Sequence, residues 1–164
     1  MGIEFKRLSE VAPQDIIEQM NNPRLREHMP LAQGRFTEED CAGFVRGKES
    51  LWEEYGYGPW AFVVDGEFAG WGGLQPEEGD ADLALVLHPN YWGWGKRIYD
   101  QIIERAFGEM GFESITALLP PSRTRVGGML RAGFQRDGEL DVGGERFIRY
   151  RLFNPHPEKG ASIS

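Results

Sequence analysis

Apolar residues at Ile3, Phe5 and Leu8, set among polar ones, predict a short strand over residues 3–8. Pro13–Met20 follows as a helix with proline in its first turn. Asn21-Asn22-Pro23 ends it, and a second short helix over Arg24–His28 is closed by Pro30. Thr37-Glu38-Glu39-Asp40 has the form of a capping box, with Asp40 where Glu or Gln is usual. Behind it Cys41, Phe44, Val45, Leu51, Trp52 and Tyr55 recur at helical spacing until Gly56-Tyr57-Gly58-Pro59 breaks the pattern. Trp60–Val64 and Glu67–Leu74 flank Asp65-Gly66, a strong hairpin signal. Gly70, Gly72 and Gly73 inside the second of these strands point to a bulge or to a close approach by another group. Pro76–Asp80 is an acidic turn, and the near-continuous apolar run Asp82–Leu87 suits a strand covered on both faces.

The second half changes character at His88–Arg97, where two glycines and two tryptophans separate that strand from a helix. Ile98, Tyr99, Ile102, Ile103, Ala106 and Phe107 form one apolar stripe, stopped by Gly108 and Gly111. Ser114–Leu119 predicts a strand ended by Pro120-Pro121, and Arg123–Ala132 a short helix with Gly133 as its stop. Phe134–Leu140, a turn at Asp141–Gly144 and Glu145–Phe153 predict a closing hairpin. Residues 1–153 therefore read as a single domain and 154–164 as a C-terminal tail.

A chain of 164 residues, 40% hydrophobic and 27% charged, has the composition of one soluble globular domain. No apolar run approaches the roughly 20 residues that a membrane span needs. The first residues lack the basic-then-apolar order of a signal peptide, and the lone Cys41 allows no internal disulfide. The expectation is a cytoplasmic protein with no membrane association. A net charge of -8 argues against nucleic-acid binding. The charge is uneven: residues 1–90 hold 7 Lys+Arg against 17 Asp+Glu, and residues 91–164 hold 11 against 9. An anion site in the second half and a cationic substrate near the first would fit this split, as would surface charges that drift without purpose.

A strand, a glycine turn and a helix together make an anion site, because glycines admit close backbone approach and the first helical turn offers free N–H groups. The dinucleotide fingerprint is excluded, since Gly93 and Gly95 are followed by Ile98 and not by a third glycine. The P-loop is excluded because Arg97 follows Gly95-Lys96 where Ser or Thr would be needed. His28, His88 and His156 are too scattered to ligate a metal, and no nucleophile elbow suggests a covalent acyl-enzyme. Cys41 sits on the core face of its helix, as an inert buried thiol would.

The element order, together with Asn90-Tyr91-Trp92-Gly93-Trp94-Gly95 and Gly133-Phe134, resembles the GNAT acyltransferase family, whose signature is Gln/Arg-x-x-Gly-x-Gly/Ala. The Trp-Gly-x-Gly form, with Asp82 in the preceding strand, is similar to the ribosomal-protein N-acetyltransferase (RimJ/RimL-like) branch. The resemblance covers roughly residues 3–153, by element order more than by identity. It implies an α/β fold with a mixed, mostly antiparallel central sheet of six or seven strands and flanking helices. It implies acetyl-coenzyme A as acyl donor and transfer to a primary amine of a small molecule or a protein N-terminus; with no metal ligand set and no nucleophile elbow in the sequence, direct attack of the amine on the thioester is the simpler mechanism. Trp92, Gly93, Trp94, Gly95, Lys96 and Arg97 would hold the diphosphate, with Lys96 and Arg97 extending toward a 3′-phosphate. Leu85, Val86 and Leu87 would pair with the pantetheine arm in a gap where two strands splay apart. The acceptor would be selected by Asp15–Gln33 and Asp137–Glu145. A homodimer is compatible with this picture.

Acyl transfer needs a base for the ammonium proton and an acid for the departing thiolate. Asp82 stands where relatives carry a Glu facing the cleft, although a plain surface aspartate would look the same in sequence. Glu67 is a lesser candidate, and His88 serves either there or as a strand terminator before Pro89. The first signature position is Asn90, and the family's thiolate-protonating Tyr maps to Met129. The family's Asn-x-x-Ser maps to Ser122 and Arg125, leaving Ser122 as the nearest hydroxyl, or as a helix cap. The second function class is accordingly a non-catalytic acyl-coenzyme A-binding sensor or partner module, which the absent Tyr would favour.

Overall fold

Two-residue left-handed turns set the order of the sheet. Asp65-Gly66 (φ 50° and 86°), Glu78-Gly79 (51° and 84°) and Gly143-Gly144 (59° and 83°) each place two successive residues at positive φ, the geometry whose twist matches that of paired strands. In the computed structural model, which describes residues 2–27, 34–123 and 126–155, these turns join β2 (Pro59–Val64), β3 (Glu67–Glu77) and β4 (Asp80–Leu87) into a meander, and β6 (Gln135–Val142) to β7 (Glu145–Phe153). The acidic turn thus shrinks to Glu78-Gly79, and both flanking strands run longer than their apolar cores suggest. β1 (Ile3–Lys6) pairs with β2, and β5 (Ser114–Leu119) lies beside β4. The seven strands are ordered β1-β2-β3-β4-β5-β7-β6, and every neighbouring pair is antiparallel except β4 and β5. The expected six or seven strands in a mixed, mostly antiparallel sheet are thus seven.

Helices cover both faces. α4 (Gly95–Glu104) buries Ile98 and Ile102 against Ala81, Leu87, Ile115 and Leu152. It relaxes into a π turn over Arg105–Glu109 before Gly111 ends it at φ 70°. On the opposite face α1 (Pro13–Met20) and α3 (Glu38–Tyr55) close a second core of Ile16, Ile17, Met20, Cys41, Ala61 and Trp71. The predicted capping box is present: Thr37 Oγ1 accepts from the Asp40 N–H, and Asp40 Oδ2 accepts from the Thr37 N–H. Cys41 is buried, its thiol pKa is raised by burial, and its Sγ–H donates to the Pro13 carbonyl at 3.7 Å, an environment for an inert thiol.

α2 is one turn, Pro23–Arg26, and His28 and Pro30, which the sequence places at its end, lie outside the described residues. So does most of the predicted tail. The Arg123–Ala132 helix is observed as α5 over Gly127–Arg131. Among the described residues no helix is long and apolar enough to cross a membrane.

Candidate active site

The one parallel pairing is short. β4 and β5 are in register only at Asp82 with Thr116 and Leu83 with Ala117. Beyond that point β4 continues to Leu87, paired to β3 alone, while β5 stays with β7 up to Leu119. The sheet therefore opens as a V whose mouth lies at the carboxyl ends of two parallel strands, a position where α/β sheets bind ligands. A cleft of about 970 Å³ fills the V, lined among others by Asp82, Leu85, Gly95, Lys96, Tyr99, Arg123, Met129 and Arg131.

Why β4 can present its free edge here follows from β3. Gly70 and Gly72 lie opposite Leu87 and Leu85, and a Cβ on either would come within 2.2 Å of the Val86 carbonyl or 2.3 Å of the Ala84 carbonyl. The expected close approach is therefore between β3 and β4 themselves. Because the Ala84 and Val86 carbonyls point at β3, the alternation of a strand turns the N–H and C=O of Leu85 toward the cleft. Val86 instead packs with Trp71 on the α3 face, and its carbonyl accepts from Gln19 Nε2 at 2.9 Å. The Leu87 carbonyl is occupied by Trp92 Nε1–H, also at 2.9 Å. Of Leu85–Leu87, the residue whose backbone is presented to the cleft is Leu85.

The glycine turn is a short 3-10 helix, Pro89–Trp94, running directly into α4. His88 caps it: Nδ1 accepts from the Asn90 N–H at 3.1 Å. Gly93 sits in open space, with nothing within 4 Å of a hypothetical Cβ, and Gly95 meets only Leu87 Cδ1 at 3.8 Å. An uncrowded cradle beside the positive end of α4 has room for an anion. Lys96 lines the cleft but is paired with Asp100 at 2.9 Å. Arg97 stacks on Trp94, its guanidinium 4.8 Å from the ring centroid, and is not part of the cleft wall.

At the vertex Asp82 is 6% exposed. Thr116 Oγ1–H donates to its Oδ1 at 2.7 Å. Burial pushes the carboxyl pKa from 3.8 up to about 7, the Thr116 hydroxyl pulls it down, and the charges of Glu77 and Asp80 raise it. Below the vertex Arg151 clamps the closed end. It donates to both Asp80 oxygens at 2.9 and 3.0 Å, to Ser114 Oγ at 2.8 Å and to Asp137 Oδ2 at 2.8 Å. Lys48 of α3 reaches the same face, where its Nζ donates to Gln75 Oε1 at 2.8 Å, and burial lowers its pKa against the opposing pull of Glu77.

The other sequence candidates separate. Ser122 is exposed on the turn after β5 and is not part of the cleft wall, although the adjacent Arg123 is; Arg125 lies outside the described residues. Glu67 accepts from the Tyr91 hydroxyl at 3.0 Å, away from the cleft. Met129 does line the cleft, and so does Tyr99, half-buried, whose pKa burial pushes up to about 12. Tyr99 was hidden in the apolar stripe of α4, and Thr116 in an ordinary strand. The signal for Thr116 was its place in the strand that pairs with Asp82, which becomes visible only with the register. Replacing Thr116 with Val removes the bond that lowers the Asp82 pKa. Any rate that depends on ionised Asp82 should then shift its acid limb to higher pH, with activity below neutrality falling several-fold, as a pH–rate profile would show.

Residues 6–135 match the acetyltransferase (GNAT) domain. The chain belongs to the GNAT acetyltransferase family. This GNAT chain has the fold of an acetyltransferase from Agrobacterium tumefaciens (TM-score 0.72, 16% identity, 92% of this chain and 90% of that one). It is similar in fold to aminoglycoside acetyltransferase AAC(6')-Ib, solved with coenzyme A and kanamycin (TM-score 0.69, 16% identity, 96% and 98% covered). A GNAT-family acetyltransferase from Bacillus anthracis is likewise similar (TM-score 0.68, 20% identity, 93% of each chain).

Proposed function

We propose that this GNAT chain transfers the acetyl group of acetyl-coenzyme A to a primary amine, on a small molecule or a protein N-terminus, by direct attack on the thioester. The observation that carries the reading is a buried carboxylate with a near-neutral pKa, Asp82, at the vertex of a cleft that reaches Gly95 and Lys96 at the N-terminus of α4. The Trp-Gly-x-Gly turn supports a place in the ribosomal-protein N-acetyltransferase branch, and the single buried thiol suits a cytoplasmic setting.

The bound donor supplies an activated acyl group. The protein supplies the rest. Gly93, Gly95 and Lys96 hold the diphosphate at the start of α4, with Trp92, Trp94 and Arg97 shaping the turn. Leu85 offers its N–H to the pantetheine arm or to the oxygen that gains charge as the amine adds. Asp82, ionised for about half of the protein near pH 7, accepts the proton that the incoming ammonium must lose. Thr116 fixes the orientation of that carboxylate. The departing thiolate takes its proton from the hydroxyl that lines the cleft, Tyr99, in preference to Ser122 on the exposed turn, and the tyrosinate is restored by the second proton that the nitrogen loses as the amide forms. Glu77 on the cleft wall, with Asp82 at the vertex, attracts a cationic acceptor.

The test is cofactor binding followed by turnover. Acetyl-coenzyme A should raise the melting temperature, and a thiol-release assay should find an amine acceptor. Gly93→Phe should abolish binding with the fold retained, because the position is open in the free protein. No binding of coenzyme A at millimolar concentration would sink the proposal. Tight binding with no thiol release over a broad amine panel would instead identify a non-catalytic acyl-coenzyme A sensor.

A further inference from the structure

The carboxylate at the vertex stands in a polar row that crosses the sheet. In register, Gln75 of β3, Asp82 of β4, Thr116 of β5, Arg151 of β7 and Gln135 of β6 lie side by side. Residues opposite one another share a face, so Arg151 stands one strand beyond the hydroxyl that holds Asp82. It is mostly buried and is no part of the cleft wall. Its Nη1 serves both Ser114 Oγ and Asp80 Oδ1, its Nη2 takes Asp80 Oδ2, and its Nε holds Asp137. One side chain from β7 thus joins β4, β5 and β6 just before the two register pairs that β4 and β5 share.

This clamp is also balanced in charge. Arg149 adds a second cation on Asp137, its Nε 3.3 Å from Oδ2, so two carboxylates face two guanidinium groups. Hydrogen bonds from Arg151 hold the Asp80 carboxyl below its usual range, which keeps it charged, and that charge bears on Asp82 two residues on. The other carboxylate that bears on Asp82 is Glu77. Burial and Glu78 raise its pKa, and Lys48 of α3 opposes them. Lys48 is held by Gln75 Oε1 at 2.8 Å and by the rings of Phe44 and Trp71. Across the cleft α4 brings Tyr99 and Lys96, the latter paired with Asp100, and Arg123 and Arg131 complete the charged groups of the wall. Both acids beside Asp82 therefore have a basic counterpart, whereas Asp82 itself is held by a hydroxyl.

We propose that Arg151 is a positioning residue for acetyl transfer: it fixes the vertex at which Asp82 stands and offsets the negative charge that Asp80 places beside it. This rests on the reading of Asp82 as the base. A bare carboxylate two residues away disfavours a second negative charge at the vertex, and a guanidinium fork that takes both of its oxygens removes most of that cost. A cation paired directly with Asp82 would make it a weak base. A cation on its neighbour leaves it able to take a proton near neutrality.

Two substitutions of opposite sign test this. Arg151→Gln leaves Asp80 bare. It should move the titration midpoint of Asp82, followed by carbon-13 NMR of the carboxyl group with Asp82→Asn as the assignment control, up by about one pH unit. The acid limb of kcat/KM should rise with it, and turnover at pH 7 should fall roughly fivefold and recover at higher pH. Asp80→Asn removes the acid and keeps the cation, so midpoint and limb should fall. The double variant Arg151→Gln/Asp80→Asn should return both to near the wild-type pH, and Arg151→Lys, which keeps the charge, should stay close to it. A midpoint that stays put in both single variants overturns the proposal. So does a shift of the same sign in both, or a loss of turnover that is equal at every pH, because a loosened sheet would act alike on the two. Should Arg151→Gln fail to fold, Asp80→Asn decides by its sign, and an unmoved or raised midpoint overturns the proposal. A midpoint that moves as stated while turnover does not follow it refutes Asp82 as the base, a result distinct from a midpoint that never moves.

Discussion

Asp82→Asn is expected to cut acetyl transfer by about 10²- to 10⁴-fold, the usual contribution of a positioned base, with coenzyme A binding left near the wild-type level. The Asn side chain matches the carboxylate in shape, and its oxygen can still accept from Thr116, so geometry survives and proton acceptance does not. The same change should stabilise the protein above neutrality. The sign follows from linkage. The folded pKa, about 7, lies above the usual 3.8, so the folded state holds its proton over a pH range where the unfolded chain releases it. The stabilising contribution of Asp82 is complete below pH 3.8 and lost as pH rises through 7. The distance between those values corresponds to something on the order of 4 kcal/mol of charge burial that the amide avoids at pH 8. A protein that gains melting temperature in alkaline buffer and loses turnover is the expected pair of results. A variant that loses stability together with activity would mark Asp82 as structural. A variant with unchanged turnover would remove it from the mechanism.

Asp82 was legible in sequence as a lone polar residue in an apolar run, but its chemistry was not, because the pKa depends first on burial and then on a hydroxyl 34 residues away, neither of which exists before the sheet forms. Thr116 lies on the neighbouring strand, Glu77 lies across the β3–β4 turn, and Asp80, two residues before Asp82 on β4, is tied down by Arg151 from β7. The meander was readable from Asp65-Gly66 and from the alternation around it, since turn type and strand twist are local. The splay was expected from family resemblance alone. Its physical origin, a parallel ladder only two residues long, is a property of register. Arg123 and Arg131 escaped notice for the opposite reason: nothing local in the sequence distinguishes these two cleft residues among the seven arginines after residue 120. Tyr99 shows how one residue fits two descriptions, since its ring packs toward Phe134 and helps bury the helix while the residue also lines the cleft.

The largest stability effect should come from β3, at Gly72. There φ is 158°, and a Cβ would meet the Ala84 carbonyl oxygen at 2.3 Å and the Leu85 Cα at 2.9 Å. Those atoms are backbone of a strand held on its far end by the β5 ladder and beneath by α4, so they have no rotamer to change. Gly72→Val therefore has to push β3 and β4 apart or force β3 out of its conformation. Overpacking and backbone strain each cost about 1–3 kcal/mol. Together they approach a large part of the 5–15 kcal/mol by which a domain is typically stable. The expected result is a melting temperature lower by roughly 10 °C or more, or insoluble protein, at a position 10 residues from the nearest proposed catalytic side chain in sequence. Whatever folded material remains should bind coenzyme A poorly, because displacing Leu85 removes the strand edge that faces the cleft. Gly79→Val, at another positive φ but with nothing within 4 Å of its Cβ, separates the two causes. It should bear the conformational cost alone and keep coenzyme A binding. Equal losses at Gly72 and Gly79 would show that backbone conformation, and not the β3–β4 approach, is what the glycines secure.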